Sequence, residues 1–169
     1  MFVIQKITQH YNREQDRIAQ TVQNAAGQVL SLWLTQRLTN LLVGTLSSWL
    51  EEDVKTSSVG QVAKMHAWEQ SSAEAQLQPD LPVNPAAAQG EVLVSTIDLA
   101  RSLSGYNLTF KWGVDGAAFL TLTATELRQW LGILHHLFDL AEWPKQAWPE
   151  WFSVSQKNGS PTTAHHLLH

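Results

Sequence analysis

The residues whose types and spacing could do chemistry lie near the end of the chain, in a stretch with helical periodicity. His135 and Asp139 are four residues apart, so on a helix they would share one face, with Trp130 close by. An imidazole and a carboxylate in this arrangement could bind a metal or line a pocket with a shifted histidine pKa. A stable metal site needs about four ligands. We therefore expect no metal site, and Trp130, His135 and Asp139 stand as an alternative small-molecule pocket.

The sequence lacks the common short catalytic and cofactor motifs. The sequence has no nucleophile elbow, no phosphate-binding P-loop, no dinucleotide-binding glycine pattern and no zinc-protease helix motif. Catalytic triads are defined by geometry and not by chain order, so enzymatic activity stays open. The sequence gives no reason to assign catalytic residues or a cofactor, and it favours a non-enzymatic protein.

Tryptophan is the residue that stands out, with eight copies among 169 residues and three of them in a short segment. This Trp-rich strap, residues 143–153, holds Trp143, Trp148, Trp151 and Phe152. Tryptophan is enriched among the anchors of protein interfaces, so these four are the candidate partner-binding residues. The alternative is that the strap packs on its own sheet. We expect that packing for Trp143 and Trp148. For Trp151 and Phe152 both alternatives stay open, and the interface hypothesis places them exposed at the rim.

Composition limits the classes of partner. Charged residues make up 15% of the chain, below the usual share of about 25%. This low share favours a protein that buries part of its own surface in contact with a partner or a second copy. The net charge is -4, with 11 basic against 15 acidic residues, which argues against nucleic-acid binding. The sequence contains no polybasic segment and no long apolar run, so we do not expect a membrane protein. Without cysteine or an apparent leader, the expected compartment is the cytoplasm.

Two segments of the chain show the same series of elements. Residues 1–53 and 91–142 both read as strand, strand, tight turn, strand and long helix. Apolar positions match at an offset of 90 before the turn and of 89 after it, as for Leu42 with Leu131. The pattern indicates either an internal duplication or the shared periodicity of any two hairpin-plus-helix units.

The two helices are predicted at 35–52 and 124–141. Thr123 and Glu126 form the pattern of a capping box at the start of the second one. Apolar residues at three- and four-residue spacing give each helix one wide stripe that a sheet must cover. In the first helix these are Leu38, Leu41, Leu42, Leu46, Trp49 and Leu50.

The remaining segments differ in chemistry. The connection at 54–90 contains a predicted helix, with Ser58 as its possible cap, followed by a proline-rich extended linker at 78–90. Residues 154–169 have the composition of a disordered tail.

The sequence therefore predicts a single α+β domain over 1–153. We expect two strand-strand-strand-helix units related by a pseudo-twofold axis, with a mainly antiparallel sheet covered on one face by two long helices. An arrangement in two separate lobes is the alternative. The leading function is a protein-interaction or assembly module. The alternative is a small-molecule-binding or enzymatic domain with its site between the two halves.

Overall fold

One mixed sheet organises the chain. The structure, a computed structural model, describes residues 1–53, 59–156 and 167–168. Seven strands follow the order β4-β3-β2-β1-β7-β6-β5, and an eighth short strand, β8, pairs with β1. The strands are β1 (Phe2–Asn12), β2 (Arg17–Asn24), β3 (Val29–Leu34), β4 (Glu91–Leu93), β5 (Thr96–Ser102), β6 (Gly105–Trp112), β7 (Gly116–Leu122) and β8 (Leu167–Leu168).

The sheet combines antiparallel hairpins with parallel junctions. Within each predicted unit, β1-β2-β3 and β5-β6-β7, consecutive strands pair antiparallel through short turns. The units meet through parallel pairs, β1 with β7 and β3 with β4. The prediction of a mainly antiparallel sheet is wrong in this respect, because strand periodicity shows which residues share a face and not which distant strands become neighbours.

The ends of the sheet are drawn together by the chain itself. Strands β4 and β5 stand at opposite ends of the strand order, yet only Val94 and Ser95 separate them in sequence. A flat sheet could not accommodate this, so the sheet curls. The inner surface of the curl holds the apolar core, which includes Ile18, Phe110 and Leu122.

The helices cover this core. They are α1 (Gln36–Glu52), α2 (Val59–Gln76), α3 (Ala124–Ala141) and the short α4 (Glu150–Gln156). The predicted α+β composition is confirmed, while three long helices replace the two of the predicted architecture. The capping box of α3 is present, with Thr123 and Glu126 satisfying each other's backbone groups. Among the described residues no helix is both long enough and apolar enough to cross a bilayer.

The buried faces of the helices differ in part from the predicted stripes. In α1, Leu41 is exposed, whereas Val43 and Ser47 are buried. In α3, Arg128 and Gln129 on another side of the helix are buried in addition to the predicted stripe. That stripe, which is buried throughout, consists of Leu127, Trp130, Leu131, Leu134 and Phe138. The cause of the additional burial is α2, which packs against α3 at Arg128 and Gln129.

Polar contacts fix the crossing of α2 and α3. The Gln129 amide donates to the carbonyl of Ala73 at 2.9 Å, and the Gln70 amide donates to the carbonyl of Arg128 at 2.8 Å. At the crossing a Cβ added to Gly132 would lie 2.8 Å from a Glu74 carboxylate oxygen. Small and amide-bearing residues thus let the two helix backbones approach closely.

The proline-rich linker crosses the sheet next to β1. It is irregular as predicted, apart from one 3-10 turn at Pro85–Ala87. Val83 is buried and its backbone N–H donates to the Thr8 hydroxyl at 2.9 Å. Lys6 and Asp80 form an ion pair at 3.0 Å. The linker is therefore attached to the sheet at several points.

Parts of the predicted tail have regular structure. Helix α4 extends to Gln156, beyond the predicted start of disorder at 154. Strand β8 pairs antiparallel with Ile7 and Thr8 of β1. The rest of the predicted tail, together with the predicted Ser58 cap of α2, lies outside the described residues.

Candidate functional site

The Trp-rich strap is part of the core. Trp143, Trp148, Trp151 and Phe152 are all buried, with Phe152 at 0% exposure. The exposed position at the rim that the interface hypothesis gives to Trp151 and Phe152 is therefore wrong. These two rings stack on each other with centroids 4.2 Å apart, so neither offers a free surface to a partner.

Two indole N–H groups of the strap have carboxylate partners. Trp143 Nε1 donates to Asp16 at 2.8 Å, and Trp151 Nε1 donates to Glu51 at 2.9 Å. Each of these bonds offsets the cost of burying an indole N–H, whereas the buried Trp148 Nε1 has no hydrogen-bond partner among the described residues. The strap therefore joins the end of the chain to the β1–β2 turn and to the end of α1.

The alternative pocket residues are also packed within the protein. Trp130 and His135 are buried, whereas the Asp139 side chain is partly exposed and pairs with Lys145. The His135 ring lies edge-on to Trp148 at 4.8 Å and Asp139 is 4.0 Å away. None of the three predicted pocket residues lines either of the two clefts described next.

The larger cleft lies between the predicted halves. This helix cleft has a volume of about 360 Å³ and is bounded by the end of α1, the middle of α2, the start of β6 and the first turns of α3. Its lining includes Asp53, Trp68, Glu69, Tyr106 and Arg128. Residues distant in sequence thus meet where the connecting helix crosses the junction of the two units.

A buried arginine forms one wall of the helix cleft. Arg128 Nη2 hydrogen-bonds to Glu69 and lies 3.0 Å from His66 Nδ1. The guanidinium also stacks over the Trp151 ring at 5.4 Å. Its Nη1 and the Nε2 of His66 are buried without a hydrogen-bond partner among the described residues.

Burial sets the protonation of this cluster. It lowers the pKa of His66, and the positive charge of Arg128 lowers it further. His66 is therefore held neutral, with Nδ1 accepting a hydrogen bond from Arg128. Burial also lowers the pKa of Arg128, which Glu69 opposes, so the guanidinium remains charged in an ion pair with the Glu69 carboxylate.

A tyrosine and an aspartate line both the helix cleft and a second cleft. The Tyr106 hydroxyl donates to the Asp53 carboxylate. Burial, reinforced by this hydrogen bond, raises the pKa of Tyr106, so the hydroxyl stays protonated. Trp49 of α1 stacks on the Tyr106 ring at 6.4 Å, which ties the end of α1 to the start of β6.

The second cleft adjoins the turn between β5 and β6. This hairpin cleft has a volume of about 240 Å³ and shares Asp53, Tyr106 and Ala124 with the helix cleft. Arg101 lines it, pairs with Glu52 at 2.6 Å and lies over the Trp49 ring at 5.3 Å. The two clefts are therefore neighbours that share part of their lining.

Each of the two clefts has an exposed apolar side chain in its lining. Trp68, on the α2 wall of the helix cleft, is 70% exposed. Leu103, in the turn beside the hairpin cleft, is fully exposed. Trp68 is thus the tryptophan that is available to a partner, in contrast to the buried strap.

Sequence reasoning missed this site. Trp68 stands in a helix whose apolar residues form only a weak stripe. A tryptophan in such a helix was the sequence signal for an exposed anchor. Arg128 lies within a strongly amphipathic helix but away from its main stripe, which indicates a second covering element. Asp53 and Tyr106 carried no comparable signal, because only the fold brings them together.

No protein-family model, curated protein or solved structure matches the chain. Within the described ranges, no three histidine or acidic side chains are grouped so as to hold a metal ion.

Proposed function

We propose that the protein is a non-enzymatic interaction or assembly module, and that the paired clefts are its contact surface. The observation that carries this proposal is Trp68, a 70% exposed tryptophan on the wall of a cleft between the two halves. Apolar surface left in water costs about 25 cal/mol per Å². A partner that covers Trp68 recovers this free energy, and tryptophan is among the commonest anchors of interfaces.

The surroundings of Trp68 support a specific interface. Leu103 continues the apolar surface on the far side, while Asp53, Glu69 and Arg101 supply polar groups between the two. An apolar anchor with polar groups around it is the usual anatomy of a protein interface. The partner is a protein or a second copy of this chain in the cytoplasm. Nucleic acid and anionic membranes do not suit a chain with a net charge of -4.

The proposal is tested with Trp68→Ala and a matched control, Leu81→Ala. Both side chains are strongly exposed, but Leu81 does not line either cleft. Tagged wild-type and variant proteins are used to capture partners from the native lysate, and their self-association is measured by sedimentation. We expect Trp68→Ala to lose a chain that both the wild type and Leu81→Ala capture, or to lose self-association.

Melting temperatures distinguish lost contact from lost folding. Both variants should melt within a few degrees of the wild type, because each replaces an exposed side chain. Identical capture and identical self-association in Trp68→Ala and the wild type would refute the proposal.

A second candidate is a small-molecule site in the helix cleft. The buried Arg128 Nη1, which has no partner among the described residues, favours a ligand with an acceptor oxygen. This corresponds to the site between the halves expected from sequence, although it is built from other residues. Saturable stabilisation by small carboxylates or phosphates, with capture unaffected by Trp68→Ala, would favour this candidate over the first.

We also propose that the two units arose by internal duplication. Ile18 pairs with Leu34 and Tyr106 pairs with Leu122, so both partners are shifted by 88 positions (106 − 18 and 122 − 34). The same shift relates all six pairs of the β2–β3 register to pairs of β6 with β7. It also relates Thr35 to Thr123, the N-caps of α1 and α3.

The helices follow the same shift. The buried positions of α1 are Thr39, Leu42, Val43, Leu46, Ser47 and Leu50. Each has a buried counterpart 88 positions later: Leu127, Trp130, Leu131, Leu134, His135 and Phe138. This shift of 88 replaces the predicted offsets of 90 and 89, so Leu42 corresponds to Trp130 and not to Leu131. The parallel junctions are reciprocal as well. If β4 and β5 are counted as one interrupted strand, the first strand of each unit pairs with the third strand of the other.

A further inference from the structure

The first unit already contains an aromatic side chain bound beside its hairpin. Trp143 follows the C-cap of α3 and packs against Tyr11 at the end of β1, with ring centroids 5.9 Å apart. Its indole N–H donates to Asp16 in the β1–β2 turn. The end of one helix thus delivers a tryptophan to the hairpin of the other unit.

The hairpin cleft is the corresponding place in the second unit. Tyr11 pairs with Ile18, and Arg101 pairs with Tyr106, so Arg101 stands where Tyr11 stands in the first unit. Arg101 lines the hairpin cleft, and Asp53, the C-cap of α1, lies on its edge. The cleft is therefore bounded by the hairpin and the helix end that correspond to those around Trp143.

Among the described residues, no tryptophan lines the hairpin cleft. In the sequence, the five residues after Asp53 are Val, Lys, Thr, Ser and Ser, and none of them is aromatic. The cleft nevertheless keeps the chemistry that suits a tryptophan. The Asp53 carboxylate can accept an indole N–H as Asp16 does, and the Arg101 guanidinium can lie over an aromatic face as it does over Trp49.

We propose that the hairpin cleft binds a tryptophan side chain of the partner, in the place that corresponds to Trp143. This inference rests on the proposed interaction function and specifies the chemistry of the partner. The tryptophan would occupy the cleft beside Ser104 and Gly105, while the partner backbone runs over Ala124 towards Trp68.

The probe is N-acetyl-tryptophanamide, an uncharged tryptophan unit, titrated into the full chain and followed by amide NMR shifts. We expect saturable shifts that are largest for residues 102–105, and a weaker response to N-acetyl-leucinamide. Ala124 is exposed at the start of α3 and lines the cleft, so the larger side chain of Ala124→Phe should narrow the cleft and abolish these shifts. Val114→Phe, at the exposed turn between β6 and β7, should leave them unchanged.

The outcomes separate this inference from the proposed function. Absence of saturable shifts in the wild type, or equal affinity in Ala124→Phe, would overturn the inference. If Trp68→Ala abolishes capture while the probe does not bind, the interaction function stands and the tryptophan pocket does not. If the probe binds and Trp68→Ala has no effect on capture, the pocket stands and the proposed contact through Trp68 fails.

Discussion

At the residue scale, burial separates two kinds of tryptophan in this chain. Trp143, Trp148 and Trp151 are core residues, whereas Trp68 is largely exposed. Composition alone cannot distinguish them, because tryptophan suits both a core and an interface. The sequence predicted a Trp-rich strap, whereas its last two aromatic residues, Trp151 and Phe152, lie in the short helix α4 and are buried. The burial of Trp151 and Phe152 depends on His66 of α2, which is distant in sequence, as well as on His135 of the nearby α3.

Replacing the end of the strap tests this distinction. The double substitution Trp151→Ala with Phe152→Ala removes two buried rings and leaves Arg128 and Glu51 without the Trp151 contacts. We expect a loss of at least about 3–5 kcal/mol in the free energy of unfolding, the usual cost of one large aromatic side chain in a core. Chemical denaturation measures it.

Trp68→Ala is the matched control for that measurement, and it should change stability by less than about 0.5 kcal/mol. A double variant that is as stable as Trp68→Ala would mean that the strap is not part of the core.

At the element scale, the hairpins and the long helices were predictable because their signals are local. The strand alternation, the turn glycines and the Thr123–Glu126 capping box each depend on a few neighbouring residues. The paths of the strands at the unit junctions were not predictable. The β1–β7 and β3–β4 pairs join residues far apart in sequence, and no periodicity specifies them.

Two glycines test how the elements are built. Gly105 begins β6 at a φ of 143°, and an added Cβ would lie 2.3 Å from the backbone oxygen of Leu122. Gly105→Ala should therefore cost about 1–3 kcal/mol or more, since both backbone strain and a clash with fixed atoms oppose it.

Gly44 provides the opposite expectation within α1. A Cβ added there meets no atom within 4 Å, so Gly44→Ala should stabilise by about 0.5–1 kcal/mol. Thermal or denaturant unfolding compares the two variants. Equal effects of both substitutions would contradict the backbone geometry of the β5–β6 hairpin.

At the scale of the whole molecule, the candidate site arises only when the chain is assembled. The helix cleft takes walls from α1, α2, α3 and β6, so no single segment of sequence carries it. Sequence reasoning placed a possible site between the two halves, which is where this cleft lies. It chose His135 and Asp139 as the residues because their spacing was visible, whereas the grouping of Arg128, Glu69 and His66 requires the packing of α2 on α3.

Hydroxyl-radical footprinting of the complex, with the captured partner or a second copy, tests the central claim most directly. Oxidation is compared between the free and bound protein at four exposed side chains: Trp68 and Leu103 beside the clefts, and Leu81 and Leu140 elsewhere. The paired-cleft interface predicts that Trp68 and Leu103 are protected on binding while Leu81 and Leu140 are oxidised as before. Unchanged oxidation of Trp68, with protection at Leu81 or Leu140, would contradict it.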